Sequence, residues 1–209
     1  LRKYCDLFEQ IKGKTVLDLG CGLGGRTCFM CTKKPARVVG VDINAKEIES
    51  AKKFADSKLS SEDKSKLEFR SVNENETDYG QLFDIVLSID SLEHVRRPVD
   101  ILNRAWDSLK EGGICYFGTV GWYHHRASHL GSIIPIPFST LFFSDTALLD
   151  AVKRMIESPY YVPSMWDSNP PIARWRNVKD LKERPGEYLN EITIRGIKRA
   201  IRESKFSNG

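Results

Sequence analysis

The chain has 209 residues, 41% of them hydrophobic, which predicts one domain with a substantial core over residues 1–209 and excludes two full domains. It contains no apolar run of ~18 residues and no leader in which charged residues precede apolar ones, so we expect a soluble, cytoplasmic protein without a membrane partner. The net charge of +4 is spread along the chain except for one small basic cluster, so no nucleic-acid partner is expected. The cluster consists of Arg195, Lys198, Arg199 and Arg202.

Short apolar segments rich in β-branched and aromatic residues alternate with helical patterns through residues 1–120. The predicted strands are Thr15–Leu19, Arg37–Asp42, Leu67–Val72, Phe83–Ile89 and Ile114–Thr119. The predicted helices of this part are Arg26–Lys33, Ala45–Leu59 and Val99–Leu109, the last one stopped by Gly112 and Gly113. Strands that alternate with helices form right-handed βαβ units, so the predicted fold class is α/β, with a doubly wound, mostly parallel sheet.

The five cysteines do not indicate a disulfide framework, because their number is odd. Cys28 and Cys31 form a CxxC pair, which zinc and redox sites also use, and Cys21 precedes them. No second pair follows, and the segment after Gly25 has a helical pattern. Buried structural thiols are therefore predicted, and no metal site.

The segment VLDLGCGLGG, residues 16–25, connects the first strand to the first helix. Gly20, Gly22 and Gly25 fit the dinucleotide fingerprint GxGxxG, and Asp42 follows at the distance of a ribose-binding acid. Asp18 opposes this interpretation, because a dinucleotide brings its pyrophosphate to this loop and a nearby carboxylate would repel it. S-adenosylmethionine instead brings a sulfonium, an ammonium and a ribose, which suit Asp18 and Asp42. The loop therefore predicts an S-adenosylmethionine site, with a nicotinamide cofactor as the alternative.

The same loop contains the pattern DxGxGxG, formed by Asp18, Gly20, Gly22 and Gly24. It occurs together with GVDIN at 40–44, FDIVLSIDSLEHV at 83–95 and LKEGG at 109–113. In this combination the chain resembles the class I S-adenosylmethionine-dependent methyltransferases, specifically the small-molecule branch called type 11. The resemblance covers residues 12–120 and implies a Rossmann-like fold.

The resemblance also implies the residues that bind S-adenosylmethionine and its product S-adenosylhomocysteine. These are Asp18, Gly20, Cys21, Gly22, Asp42, Ile43, Asn73, Glu74 and Asp90. Gly20 and Gly22 would face the methionine part, and Asp18 would contact its amino group directly or through water. Asp42 would bind the ribose hydroxyls, and Ile43 would pack on the adenine. Asn73 and Glu74 stand where the family usually has an aspartate near the adenine amino group, and Ser88–Asp90 would line the methyl-donor pocket.

The alternation of strands and helices ends after Val120. Residues 121–190 contain seven of the nine prolines, no convincing strand and one predicted helix, Thr146–Glu157. We interpret them as an irregular insertion after the fifth strand. The resemblance of part of this insertion to a methyltransferase subgroup implies that it caps the acceptor site. A last helix is predicted over Thr193–Ser204. The family usually ends in an antiparallel hairpin, and we expect those C-terminal strands to be missing from this sequence.

Three of the four histidines lie in GWYHHRASHL, residues 121–130: His124, His125 and His129. Imidazoles just after the fifth strand suit proton removal from an acceptor hydroxyl. A metal site and purely structural histidines stay open as alternatives. The pattern HLxxxIPxPF resembles a methyltransferase subgroup in which His129 matches a recurrent position, so His129 is the preferred catalytic residue and His124 the second.

These observations predict an S-adenosylmethionine-dependent methyltransferase that acts on a small-molecule acceptor, at an oxygen atom. Two alternatives stay open: a nicotinamide-dependent oxidoreductase that uses the same glycines, and a non-catalytic module that binds the cofactor and serves a partner. RNA methylation is disfavoured, because Asp90-Ser91-Leu92-Glu93 stands where an N/D-P-P-aromatic tetrad would be expected.

Overall fold

The structure is a computed structural model that describes residues 6–73, 76, 78–95, 97–124, 133–161 and 190–208. Its centre is a five-stranded sheet in the order β3-β2-β1-β4-β5, in which all neighbouring strands are parallel. The strands are β1 Thr15–Leu19, β2 Arg37–Asp42, β3 Leu67–Ser71, β4 Phe83–Ile89 and β5 Leu109–Gly118. The predicted α/β class with a doubly wound parallel sheet is confirmed.

Eight α-helices and two 3₁₀ segments occur in the described residues. The helices are α1 Leu7–Gln10, α2 Gly25–Cys31, α3 Ala45–Lys58, α4 Ser61–Lys64, α5 Pro98–Asp107, α6 Ser139–Phe142, α7 Asp145–Glu157 and α8 Ile194–Glu203. The 3₁₀ segments are Leu92–His94 and Lys205–Asn208. The sequence patterns did not predict α1, α4 and α6, because four residues are too few to show a periodicity.

The chain builds the sheet outward in two directions from β1. It runs from β1 through β2 to β3, then returns to the other side of β1 for β4 and β5. Because βαβ crossovers are right-handed, this reversal puts α2 and α3 on one face of the sheet and α5 on the other. The crevice that such a reversal leaves at the carboxyl ends of β1 and β4 is where open α/β sheets bind ligands.

The start of β5 differs from the prediction. Helix α5 ends at Asp107, and β5 begins at Leu109, which pairs with Phe83. The next paired residues are Ile85 and Ile114. Between these two pairs β5 has more residues than β4, so the register shifts and the strand is irregular there. Gly112, at φ +70°, lies in that irregularity. The two glycines that were predicted to stop the helix therefore bend a strand.

The core on one side of the sheet combines α1, α2 and the central strands. Its buried members are Leu7, Ile11, Val16, Met30, Cys31, Val38, Ile85 and Leu87. A second cluster joins the loop after β1 and helix α2 to α3 and β3, and consists of Cys21, Cys28, Ile48, Ala51, Ala55 and Phe69. Helix α3 begins at a cap formed by Asn44, whose side chain accepts from the N–H groups of Lys46 and Glu47.

The chain divides into two compact units. The first comprises the residues up to Leu92, Val99–Thr119 and the residues from Ile201 onward. The second comprises Glu93–Pro98 and Val120–Ala200, with a cluster of its own: Ile133, Ile134, Leu148, Leu149 and Val152. The prediction of one domain over residues 1–209 with an insertion at 121–190 stays a prediction, and residues 125–132 and 162–189 lie outside the described part. None of the described helices combines the length and hydrophobicity needed to cross a bilayer.

Within the second unit, hydrogen bonds of Asn190 connect several segments of the backbone. Its backbone N–H donates to the carbonyl of Glu93 at 2.8 Å, and its side-chain amide donates to that of Val95 at 2.8 Å. Its Oδ1 accepts from the N–H of Ile192 at 2.9 Å, and the Ile192 carbonyl accepts from Trp122 at 2.8 Å. The turn after β4 is thereby joined to the stretch that follows β5.

At the amino-terminal end of β4, Asp84 accepts hydrogen bonds from three donors. Its Oδ2 accepts from the backbone N–H of Thr15 at 2.8 Å, the Thr15 hydroxyl at 2.7 Å and Nζ of Lys110 at 3.0 Å. These hydrogen bonds, first among them the one from the Thr15 backbone, lower the pKa of Asp84 to about 2. The side chain is one-quarter exposed. The charged carboxylate therefore stabilises the folded state.

We expect Asp84→Asn to lower the free energy of unfolding by ~1–2 kcal/mol at pH 7. Because the folded pKa lies below the unfolded value of about 3.9, this stabilisation is present above pH ~4 and is lost as the pH falls toward 2. Urea unfolding of the original chain and of Asp84→Asn should show that the difference between their free energies of unfolding is roughly half as large at pH 3 as at pH 7. Asp56→Asn, which removes an exposed partner of Lys64, is the control and should change stability by less than ~0.5 kcal/mol. A difference that does not depend on pH would contradict the role of the charge.

Candidate cofactor-binding site

The loop after β1 is fixed to the end of β2 by its own backbone. The N–H groups of Gly20 and Cys21 both donate to the carbonyl of Val41, at 2.9 and 3.0 Å. The N–H of Gly24 donates to the Cys21 carbonyl at 3.0 Å, which closes a turn just before α2 begins. These hydrogen bonds within the protein fix the loop at the carboxyl ends of β1 and β4.

Gly20 brings this loop into contact with the loop after β4. Its φ of +74° is unfavourable for other residues, and a Cβ on it would lie 2.4 Å from Oγ of Ser91. That hydroxyl donates to the carbonyls of Leu19 and Ile89, both at 3.2 Å. The absent side chain at position 20 therefore allows the ends of β1 and β4 to approach each other closely.

Gly24 and Gly25 distinguish the two glycine patterns of the loop. In the dinucleotide fingerprint the third glycine, here Gly25, permits close packing of the helix on the sheet. A Cβ on Gly25 would meet nothing within 4 Å. A Cβ on Gly24, which has φ +75°, would lie 2.6 Å from Phe69 and 2.7 Å from Ala51. Close packing therefore requires a glycine at position 24 and not at position 25. This favours the pattern DxGxGxG, which includes Gly24, over GxGxxG, which includes Gly25.

Asp42, at the end of β2, has an oriented carboxylate. Its Oδ2 accepts from the N–H of Gly22 and its Oδ1 from the N–H of Asn44, both at 2.9 Å. Each carboxylate oxygen can accept a further hydrogen bond, so both stay able to receive a ribose hydroxyl. Ile43 follows with a side chain that is 66% exposed, which is the kind of apolar surface on which an adenine packs.

Asn73 lies near the same strand end. The N–H of Val72 donates to the carbonyl of Asp42 at 3.0 Å, so the residue that follows β3 is held beside the end of β2. Asn73 itself is exposed. Glu74, predicted to share its role, lies outside the described residues.

Asp18 lies beneath the loop, fully buried. Its Oδ1 accepts from Nη2 of Arg26 at 2.7 Å and from Nε at 3.2 Å, and its Oδ2 accepts from the Thr27 hydroxyl at 2.7 Å. The carboxylate is therefore paired within the protein. Arg26 therefore neutralises the charge that was expected to repel a pyrophosphate. Its predicted contact with a methionine ammonium stays a prediction.

Arg26 is the site residue that sequence reasoning missed. Its side chain is 27% exposed, and its Nη1 also donates to the carbonyl of Ile89 at 3.4 Å. Burial alone would lower the pKa of Arg26, but the Asp18 carboxylate more than offsets this, so the pKa lies above its usual range. The sequence could have indicated a special role for Arg26, because a positive charge in the first turn of a helix interacts unfavourably with the helix dipole.

Asp90 follows β4 on the same edge of the sheet. It is exposed, and its φ of +55° lies in the left-handed region, which is uncommon for residues other than glycine. The N–H of Asp90 donates to the carbonyl of Gly118 at 2.6 Å, and its carboxylate acts electrostatically on Arg26. Ser88, expected beside it in the pocket, is fully buried in β4 and does not reach the surface of the site.

Three of the cysteine side chains are buried. Cys21, Cys28 and Cys31 are buried free thiols, as predicted. Burial raises the pKa of Cys28 to about 11 and that of Cys31 to about 12, and it raises the pKa of Cys21 as well. The predicted cofactor contact of Cys21 stays a prediction.

The histidine segment is described only in part. His124 is exposed, and its backbone N–H donates to the carbonyl of Gly121 at 2.7 Å. His125 and the preferred catalytic residue His129 lie outside the described residues. Within the described residues, no three side chains of histidine, cysteine, aspartate or glutamate come together in a way that could hold a metal ion.

The comparison with protein families decides between the interpretations of this loop. A family model described as a methyltransferase domain matches residues 10–158. The chain belongs to this methyltransferase domain family. The resemblance based on Asp18, the glycine loop and the segments after β2 and β4 is thereby confirmed.

The methyltransferase domain is also similar to individual proteins. It is 32% identical over 109 residues to a ubiquinone biosynthesis O-methyltransferase from Actinobacillus pleuropneumoniae, covering 52% of this chain and 46% of the relative. It is 32% identical over 111 residues to an erythromycin 3''-O-methyltransferase from Saccharopolyspora erythraea, covering 52% and 35%. The chain thus spans about half the length, or less, of these relatives. An S-adenosylmethionine dependent methyltransferase from Mesorhizobium loti matches with a TM-score of 0.47 and 19% identity, covering 56% of this chain and 52% of that one.

Proposed function

We propose that this methyltransferase domain binds S-adenosylmethionine and transfers its methyl group to an oxygen atom of a small-molecule acceptor. The observation that supports this most is the glycine loop, in which Gly24 rather than Gly25 carries the packing requirement while Asp42 presents an oriented carboxylate. The two similar proteins named above are O-methyltransferases of small molecules by name. The bound cofactor supplies a methyl group already activated by the sulfonium.

In this proposal, different side chains at the carboxyl ends of the strands bind different parts of the cofactor. Asp42 binds the ribose hydroxyls and Ile43 packs on the adenine, with Asn73 and Glu74 near its amino group. At the other end, the guanidinium of Arg26 suits the methionine carboxylate. The carboxylate of Asp90 suits the ammonium, in addition to the direct or water-mediated contact predicted for Asp18. Asp18 then holds Arg26 in place through the two hydrogen bonds to its guanidinium.

The protein's contribution to methyl transfer is to position the acceptor in line with the methyl and to remove the acceptor proton. We assign acceptor contacts to residues 121–190, treated as an insertion of one domain over residues 1–209. His129 is the proposed base for an acceptor hydroxyl, with His124 as the second candidate. No metal takes part in this proposal.

Calorimetric titration with S-adenosylhomocysteine and, separately, with NADH tests the cofactor assignment. S-adenosylhomocysteine should bind, and Asp42→Ala should weaken its binding by ~1–3 kcal/mol, because charge-assisted hydrogen bonds to the ribose are lost. Glu49→Ala removes one negative charge from the exposed surface of α3 and should leave the affinity unchanged. Binding of NADH without binding of S-adenosylhomocysteine would overturn the assignment in favour of an oxidoreductase.

If the chain is a non-catalytic module that binds the cofactor, S-adenosylhomocysteine should bind in the same way, but no methyl group should be transferred. The two are separated by incubating the chain with methyl-labelled S-adenosylmethionine and a panel of phenolic and sugar hydroxyl acceptors. Transfer of label to an acceptor supports the enzyme. Tight binding of S-adenosylhomocysteine with no transfer to any hydroxyl or amine acceptor supports the module.

A further inference from the structure

Arg70, near the end of β3, connects that strand to residues 72–82, which we call the β3–β4 segment. Its Nη1 donates to the carbonyl of Tyr79 at 3.1 Å, and its Nη2 donates to Oε1 of Glu76 at 3.0 Å and to the carbonyl of Asp78 at 3.3 Å. The side chains of Arg70 and Glu76 are each 29% exposed. One guanidinium, with its planar fork of donors, therefore contacts three residues of the segment.

Glu76 adds two hydrogen bonds through its backbone. Its N–H donates to the carbonyl of Asn73 at 3.1 Å, and its carbonyl accepts from the Tyr79 hydroxyl at 3.0 Å. Tyr79 is only 4% exposed, and its hydroxyl also has a hydrogen bond with Arg104 of α5. Glu76 thus links the backbone of Asn73 to two anchored side chains, those of Arg70 and Tyr79.

The backbone of Asn73 belongs to the candidate cofactor site. The residue before it, Val72, donates its N–H to the carbonyl of Asp42 at 3.0 Å, so the β3–β4 segment begins beside the carboxylate proposed for the ribose. The proposed function puts the adenine near this segment and near Ile43. A change in the path of the segment would therefore alter the surroundings of the base more than those of the ribose.

We propose that Arg70 and Glu76 are positioning residues that fix the β3–β4 segment for recognition of the adenine ring. The inference rests on the proposed function, because it takes S-adenosylmethionine as the cofactor. Neither side chain touches the cofactor in this proposal. A site that recognises a base by hydrogen bonds rejects a base with a different donor pattern only if its own groups stay in place. The two residues therefore contribute selectivity for the base.

Protection of the sheet edge is the alternative role for these charges. Strand β3 lies at one edge of the sheet formed by the described strands, and charged side chains on an edge strand discourage pairing with other chains. Arg37 forms an ion pair with Glu68 there, and Nε of Arg70 lies 3.8 Å from Oε1 of Glu68. Edge protection does not require the two hydrogen bonds from Arg70 to backbone carbonyls, or those made by the backbone of Glu76.

Calorimetric titration of the 209-residue chain with two ligands tests the proposal. The ligands are S-adenosylhomocysteine and S-inosylhomocysteine, in which a carbonyl oxygen replaces the amino group of the base. The original chain should prefer S-adenosylhomocysteine by about 10²-fold. Glu76→Ala and Arg70→Lys should each reduce this preference to about tenfold, because the segment loses a hydrogen bond that fixes it. Glu76→Gln keeps an oxygen that accepts from Arg70 and should restore the preference to within about threefold of the original.

Two controls separate base selectivity from other effects. Arg37→Lys makes the same substitution as Arg70→Lys in the ion pairs of the sheet edge, without a contact to the β3–β4 segment, and should leave the preference within about twofold. Asp42→Ala should weaken both ligands by the same factor, because both contain the ribose, and should leave the preference unchanged.

Two results would overturn the proposal while leaving the proposed function intact: an unchanged preference in Glu76→Ala and Arg70→Lys, or equal losses of affinity for both ligands, which a merely structural role predicts. If Glu76→Ala loses its circular dichroism, Tyr79→Phe replaces it; this variant keeps the ring but removes the hydroxyl that donates to Glu76, and should lower the preference by about threefold. If the original chain binds neither ligand, the proposed function fails and this inference fails with it.

Discussion

Replacement of Gly24 by alanine should lower the free energy of unfolding by about 2–4 kcal/mol, whereas the same replacement at the neighbouring Gly25 should leave it unchanged or raise it by up to about 1 kcal/mol. The measurement is urea unfolding of the two variants beside the original chain. The comparison is closely matched, because both changes add one methyl group to consecutive residues of the same loop.

The difference has two physical causes. At Gly24 the φ of +75° is strained for alanine, and the new Cβ would lie 2.6 Å from Phe69 and 2.7 Å from Ala51, which are buried and cannot easily move apart. At Gly25, the first residue of α2, no atom lies within 4 Å, and alanine is the better helix former. Equal effects at the two positions would show that the loop does not pack as described, and would reopen the dinucleotide pattern.

Replacement of His129 by alanine should lower kcat for a hydroxyl acceptor by about 10²–10⁴, with little change in the affinity for S-adenosylhomocysteine. The expected loss follows from the proposed role, because an acceptor hydroxyl must lose its proton as the methyl arrives. The measurement is transfer of labelled methyl to an acceptor found in the hydroxyl panel. His125→Ala is the matched control in the same segment, and both His125→Ala and His124→Ala, which removes the second candidate, should have smaller effects.

The pH dependence distinguishes a base from a structural histidine. If the His129→Ala variant keeps the original turnover between about pH 6 and 9, His129 is not the base and positioning alone supports the reaction. An amine acceptor needs only a neutral lone pair, so with such an acceptor the variant should change mainly KM. Loss of turnover on treatment with a metal chelator would instead revive the metal-binding alternative for the three histidines.

Much of the fold could be predicted from the sequence because the parallel strands are buried on both faces. Such strands appear as short runs of β-branched and apolar residues, and the bounds predicted for β1, β2 and β4 agree with the structure. The long helices α3 and α7 were also predicted to within one residue at each end. The glycine loop could be recognised in the sequence because Asp18 and the glycines that define it lie within a few consecutive positions.

The sequence by itself determined the α/β class, the strand segments, the place of the glycine loop and the methyltransferase family, because each depends on residues that are neighbours along the chain. Only the tertiary structure decided which glycine is indispensable, since Gly24 is constrained by Phe69 and Ala51 from other elements. It also revealed that Asp18 is neutralised by Arg26. Such contacts join positions far apart in sequence or opposite each other across a turn, and a linear pattern does not specify the distances that decide their energies.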